Sequence, residues 1–120
     1  MSDDRVYLVH IIEMIANIDE LSARGRDAFM AAKHDQAAAL YYLQTMAESS
    51  QRLSEAIKAT HPEIDWTAIG GFRNRLVHGY LDVNMDIAWN VIVNDLPGLK
   101  RAVVTMLQAL DSAEPPANQE

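Results

Sequence analysis

The chain has 120 residues, 49% hydrophobic, 7% aromatic and 22% charged, with a formal net charge of -7, which suits one folded globular domain with a single core and excludes a disordered chain. It has no cysteine, so a disulfide framework and a thiolate metal site are excluded. The negative balance excludes a surface that grips nucleic acid through bulk positive charge, so any RNA contact has to be local.

The first residues, Met1-Ser2-Asp3-Asp4-Arg5, open acidic rather than with the basic region of a leader. No apolar run approaches the roughly 20 residues of a membrane span, and a cytoplasmic chain with no membrane contact is expected. Ser2 is a candidate N-cap, and Leu8, Ile11, Ile12, Ile15 and Ile18 recur at helical spacing before a stop at Gly25, predicting a helix over residues 3 to 23. A short turn of helix is expected around Asp27 to Ala32. From Asp35 to about Thr60, an Ala-rich run with Leu40, Leu43, Met46, Leu53 and Ile57 predicts one long second helix. His61-Pro62 ends it, because the residue before proline avoids the helical region.

Asp65 is placed to cap a third main helix, with Trp66, Ile69, Phe72, Leu76 and Val77 as its apolar face and Gly79 as its exit. Gly70-Gly71 inside it costs about 1 kcal/mol per glycine relative to Ala; close packing of another helix backbone would offset this, and a break is the alternative. After Leu81-Asp82-Val83, residues Asn84 to about Leu110 are predicted as a last helix, carrying Ile87, Trp89, Ile92, Leu96, Leu99, Val103 and Met106. Pro97 is expected to kink it or to start a new segment capped by Asn94 or Asp95. Residues 111–120, acidic and containing Pro115-Pro116, read as a flexible tail. The expected fold is all-α, a mostly antiparallel four- to five-helix bundle forming one domain over residues 1–110. The broad apolar stripes and the double glycine point to a homodimer.

The chemistry-bearing stretch is Arg73-Asn74-Arg75-Leu76-Val77-His78-Gly79-Tyr80, on the last turns of the third main helix. Asn74 and His78 lie one turn apart on one face, so the amide can aim the imidazole. Arg73 lies about 140° around the axis from His78, and its long stem can curl toward the helix end. Cleaving RNA requires a base for the 2′-hydroxyl proton and positive groups on the phosphorane. His78 fits the base, Arg73 a bidentate phosphate ligand, Asn74 an orienting group and Arg75 an added RNA contact. A leaving-group acid is missing from one chain; a second copy of His78 across a dimer interface would supply it. The bland alternative makes Arg73 and Arg75 solvated surface, His78 a C-terminal capping residue and Tyr80 loop packing.

The same stretch resembles the HepT family of the HEPN superfamily, whose signature is Arg, a polar residue, a variable spacer, His, and a Tyr two places on. Here these are Arg73, Asn74, His78 and Tyr80. The segment His61-Pro62-Glu63-Ile64-Asp65-Trp66, then Ile69 and Gly71, is similar to the family too, as are Val83, Trp89 and Asp95-Leu96-Pro97. The resemblance implies a homodimeric, metal-independent ribonuclease toxin of a toxin-antitoxin pair, needing no cofactor. It further implies a minimal nucleotidyltransferase antitoxin that transfers AMP from ATP to Tyr80, placing charge and bulk beside Arg73 and His78. Asn84, where an acid is common, and Met46-Ala47-Glu48-Ser49-Ser50, in place of a Gly-Glu-Ala segment, depart from the family pattern.

Other candidates carry less. His10 and Glu13 are spaced for a metal pair, but no third ligand converges in the sequence and no metal site is expected. His34 and His61 read as boundary residues, Tyr41-Tyr42 as one surface and one core tyrosine, and Trp66 and Trp89 as core anchors. Two other function classes remain: a noncatalytic nucleotide- or substrate-binding subunit of a nucleotidyltransferase complex, and a purely structural bundle.

Overall fold

The structure, a computed structural model, describes residues 3–79 and 83–113, and within these it is all-α. In chain order the helices are α1 (Asp4–Ser22), α2 (Arg26–Ala31), α3 (Lys33–Arg52), α4 (Glu55–Ala59), α5 (Trp66–His78), α6 (Met85–Asn90) and α7 (Leu96–Ala113). A π-helical stretch, Val91–Asp95, joins the last two. The expected helical bundle is borne out.

The cross-helix contacts establish the directions. Near the start of α1, Asp4 meets Ser54, just past the end of α3, and His10 meets Ser49. Arg5 pairs with Asp111 near the end of α7 at 3.0 Å. Along α5, Trp66 and Gly70 face Gln51 while Arg73 faces Glu48, so numbers fall on α3 as they rise on α5. All three pairings, α1 with α3, α1 with α7 and α3 with α5, are antiparallel. For α1 with α3 and α3 with α5, short connections favour this antiparallel packing.

Leu8, Ile11, Ile15 and Ile18 of α1, Leu40, Leu43 and Met46 of α3, Leu76 of α5, and Leu99, Val103 and Met106 of α7 form one buried core. Their spacings of three and four residues are the helical periodicity read from the sequence. Phe29 of α2 closes one end of the core and packs on Trp89 of α6, ring centroids 5.3 Å apart. Arg26 and Asp86 pair beside them. Trp66 and Trp89 pack partly buried against the core, and Tyr41 is exposed where Tyr42 packs inward.

Three expectations need correction. The second long helix is not continuous to Thr60. It breaks at Leu53, whose ψ of 145° is extended, and α4 starts afresh with Ser54 as its N-cap. Nothing local compels this. The carboxylate of Asp4 accepts from the Ser54 backbone N–H at 2.8 Å and from its hydroxyl at 2.7 Å, while the same hydroxyl accepts from Ile57 N–H. These bonds satisfy donors at the new helix start, and burial of Leu53 supports the turn.

Pro97 does not start a segment capped by Asn94 or Asp95. The helix runs on from α6 into α7, and the π turn, where Leu96 N–H bonds Val91 C=O, lies just before the proline. Widening the helix there accommodates a ring that would otherwise press on the carbonyl four residues back, that of Val93. The tail boundary shifts as well: α7 continues through Ala113, and Asp111 is a helical residue held by Arg5. Ser2, Tyr80 to Asp82 and residues 114–120 lie outside the described residues. Among the described residues no helix is long and apolar enough to cross a membrane.

Candidate active site

The motif sits where it does because of two helix-end signals. Asp65 accepts the Ala68 N–H at 2.9 Å and starts α5; Gly79 follows its last residue, His78, with its N–H on the Arg75 carbonyl at 2.8 Å. Between them Leu76 is fully buried, and Ile69 and Phe72 pack on the core, fixing the rotation of α5. That rotation exposes Asn74, Arg75, Val77 and His78 and leaves Arg73 at the α3 border, 34% exposed. Each of these polar side chains reaches water.

Arg73 does not curl toward the helix end. Its guanidinium donates to the Asn74 side-chain oxygen at 3.2 Å and lies 3.7 Å from the Glu48 carboxylate on α3. The opposite charge draws it across to the neighbouring helix. Consequently Asn74 aims Arg73 rather than the imidazole, and among the described residues no hydrogen bond ties His78 to either. The helix therefore presents two side chains on different sides of its surface, a guanidinium turned toward α3 and an exposed imidazole. Arg75, on the exposed side with His78, adds a cation there. Tyr80, two residues beyond His78, lies outside the described residues.

Glu48 is the member that sequence reasoning missed. It is anchored in turn by Gln44, whose amide donates to it at 3.4 Å, and its neighbour Ser49 bonds His10 of α1 at 2.7 Å. Thus the packing of α3 on α5 determines where Arg73 points. No local signal marks Glu48 as its partner, since the two are 25 residues apart and meet only through helix packing.

Of the other histidines, His34 is exposed near the start of α3 and two are engaged elsewhere. His10 faces Ser49 rather than a metal set with Glu13, and His61 contacts the Thr60 hydroxyl at 3.0 Å. Among the described residues no group of three His, Asp or Glu side chains converges as a metal site would require. The motif's chemistry is that of a guanidinium, an amide and an imidazole.

Comparison with known proteins places the chain in a family. The family description "Ribonuclease HepT-like" matches residues 11–106, which include the whole motif and nearly all of the bundle. A protein of Thermococcus cleftensis named "Probable ribonuclease HepT" is 32% identical over 95 residues, covering 78% of this chain and 86% of that one. A protein of Caldanaerobacter subterraneus named "Putative RNase" is 28% identical, covering 90% of this chain and 97% of its own. A Methanocaldococcus jannaschii protein named "Gamma-glutamylcyclotransferase and putative RNase" is 27% identical over 91% of this chain, which spans 50% of its length. No solved structure matches the chain. With a family match running from α1 to α7 and a helical bundle that exposes the Arg, Asn and His of its motif, the chain belongs to the HepT-like ribonuclease family.

Proposed function

We propose that this HepT-like ribonuclease cleaves RNA without a metal, using His78 as general base and Arg73 as the phosphate ligand, in a homodimer. The 2′-hydroxyl gives its proton to the His78 imidazole and its oxygen attacks the adjacent phosphorus. The bond to the 5′-oxygen breaks on the opposite side, leaving a 2′,3′-cyclic phosphate and a 5′-hydroxyl. Arg73 holds the phosphate oxygens as charge builds on them. Asn74, bonded to Arg73, keeps that guanidinium aimed. Arg75 contributes a further RNA contact. His78 of a second copy delivers the proton that the leaving 5′-oxygen takes up.

The observation that carries the reading is that Arg73, Asn74 and His78 all reach solvent on the last two turns of one helix whose opposite face is buried. A structural capping role for His78 would not require an exposed guanidinium and amide beside it. Cleavage of a fluorogenic RNA in the presence of a chelator, with His78→Ala and Arg73→Ala as controls, tests this. Loss of cleavage in both variants supports it; wild-type cleavage that the chelator abolishes, or variants as active as wild type, rejects it.

The regulatory part of the proposal concerns Tyr80. A minimal nucleotidyltransferase antitoxin would join the Tyr80 phenolic oxygen to the α-phosphorus of ATP, releasing pyrophosphate and leaving an AMP diester two residues from His78. The added negative charge competes with RNA for Arg73 and Arg75. Mass spectrometry of the chain after incubation with the partner and ATP would find AMP on the peptide containing Tyr80. An unmodified peptide with a demonstrably active partner removes this part alone.

One observation favours a second reading. Because Arg73 is engaged by Glu48 and makes no contact with His78, the motif also suits a noncatalytic subunit that places a nucleotide for a partner enzyme. RNA that binds but is never cut, by any preparation, would select it.

A further inference from the structure

A groove of about 520 Å³ opens between α5 and the α3–α4 corner, and it begins at the motif. Asn74 lines one end and Lys58 of α4 the other; Gly70 and Gly71 lie between, with Gln51 and Thr67 beside them. From Thr67 to Asn74 is seven residues of helix, about 10 Å along its axis. The groove thus runs along α5 away from the motif.

Gly71 is the unexplained member. A glycine in an exposed helix interior is unfavourable, and intramolecular packing normally accounts for it. At Gly70 it does in part: a Cβ would stand 2.7 Å from the Gln51 side-chain oxygen, so that side chain would have to move aside. At Gly71 it does not, since a Cβ would meet nothing within 4 Å. The open backbone there faces a groove that leads away from the catalytic helix end.

Lys58 is the groove's cation, and its position is built. The Trp66 indole N–H bonds the carbonyls of Lys58 and His61, both at 3.2 Å, pinning the end of α4 to the start of α5. Its side chain is only 13% exposed and its ammonium lies 2.8 Å from Glu55, a carboxylate 93% exposed. So solvated a counter-ion holds weakly and is displaced at little cost.

We infer that this groove is a subsite for single-stranded RNA, in which Lys58 binds a phosphate beyond the scissile one and Gly71 lets the sugar-phosphate chain lie against α5. This rests on the ribonuclease reading for its substrate, and it adds a direction in which the strand leaves the motif. A partner protein is the less suitable occupant, because no large apolar side chain besides Trp66 lines the groove to anchor one.

The test separates the two readings by measuring binding without cleavage. A labelled 2′-O-methyl RNA of twelve nucleotides, which has no free 2′-hydroxyl, is titrated by fluorescence anisotropy at several salt concentrations. Lys58→Gln is expected to weaken binding and lower the slope of log K against log salt by about 0.7, the signature of one lost single-strand phosphate contact. Glu55→Gln is expected to tighten binding, and Gly71→Leu to weaken it by filling the groove. With cleavable RNA, Lys58→Gln is expected to raise KM more than it lowers kcat, and to a greater extent for the twelve-mer than for a dinucleotide. Wild-type affinity and salt slope in both Lys58→Gln and Gly71→Leu would overturn the subsite even if His78 proves essential. A change of oligomeric mass by light scattering in Gly71→Leu, with Lys58→Gln inert, would overturn it by assigning the face to a second copy. Binding that behaves as expected while no RNA is ever cut would leave the subsite standing and reject catalysis.

Discussion

The contact between Asp4 and Ser54 joins residues 50 apart and sets the corner from which α4 and Lys58 project, so its removal is a sharp test of how the bundle is assembled. In Asp4→Ala the carboxylate, 9% exposed, is lost together with two bonds of 2.8 and 2.7 Å. Hydrogen bonds to a charged group are worth about 1.5–3 kcal/mol each, and the two share one anion and one residue, so they are not additive. Ser54 keeps its bond from Ile57 N–H, which preserves part of the cap. A loss of about 2–4 kcal/mol is therefore expected, within the range for breaking a partly buried charged network. For a domain near 100 residues each kcal/mol moves Tm by about 4–8 °C, so a fall of at least about 8 °C should be seen by calorimetry. Asp4→Asn retains one acceptor for the Ser54 N–H and should lose less than half as much. Urea unfolding would show the change in midpoint with the slope m unaltered if only stability has changed. An Asp4→Ala protein within 0.5 kcal/mol of wild type would refute the view that this carboxylate, rather than local sequence, breaks the second long helix.

Gly71→Ala should stabilise the fold by about 0.5–1 kcal/mol, because it raises helix propensity at an open position; Gly70→Ala should gain less, since Gln51 must swing away and forfeit its 3.4 Å bond to the Trp66 carbonyl. Paired thermal melts would check the order. Leu76→Ala, at a site 1% exposed, should cost about 2–5 kcal/mol and loosen the helix carrying the motif, read as a lower denaturation midpoint. His78→Ala should by contrast leave stability within about 0.5 kcal/mol, being an exposed substitution, while RNA cleavage falls about 10²–10⁴-fold, the usual contribution of a positioned base. Equal losses of stability and activity in that variant would return His78 to a structural role.

Much of the bundle is legible in the sequence. The apolar spacing of α1 placed its ends within a residue of Asp4 and Ser22, and Asp65 and Gly79 bracketed α5 so that the motif had to lie on its last turns. Leu8, Ile11, Leu43, Leu76 and Val103 were core by periodicity and are core in the fold. These features depend on residues within a turn or two of one another, where propensity, capping and helical period act directly. The family-like pattern around Arg73 and His78 was likewise local, and it pointed to a ribonuclease before any contact was known.

What lay beyond reach depended on partners distant in the chain. Ser54 is a possible cap, but the following residues, Glu55-Ala56-Ile57-Lys58, are themselves good helix formers and do not single it out; its bonds to Asp4 of another helix do. Gly70 and Gly71 are the same letter, and only the packing of α3 on α5 shows that one is occupied by Gln51 and the other open. Arg73 turns to Glu48 rather than toward His78 because a carboxylate on α3 comes within 3.7 Å, an attraction that exists only once the helices are docked. Composition and periodicity thus determined which segments are helical and which residues could do chemistry. Tertiary packing decided where those residues point, since charge and hydrogen-bond partners act over a few ångströms and the chain brings them together only on folding.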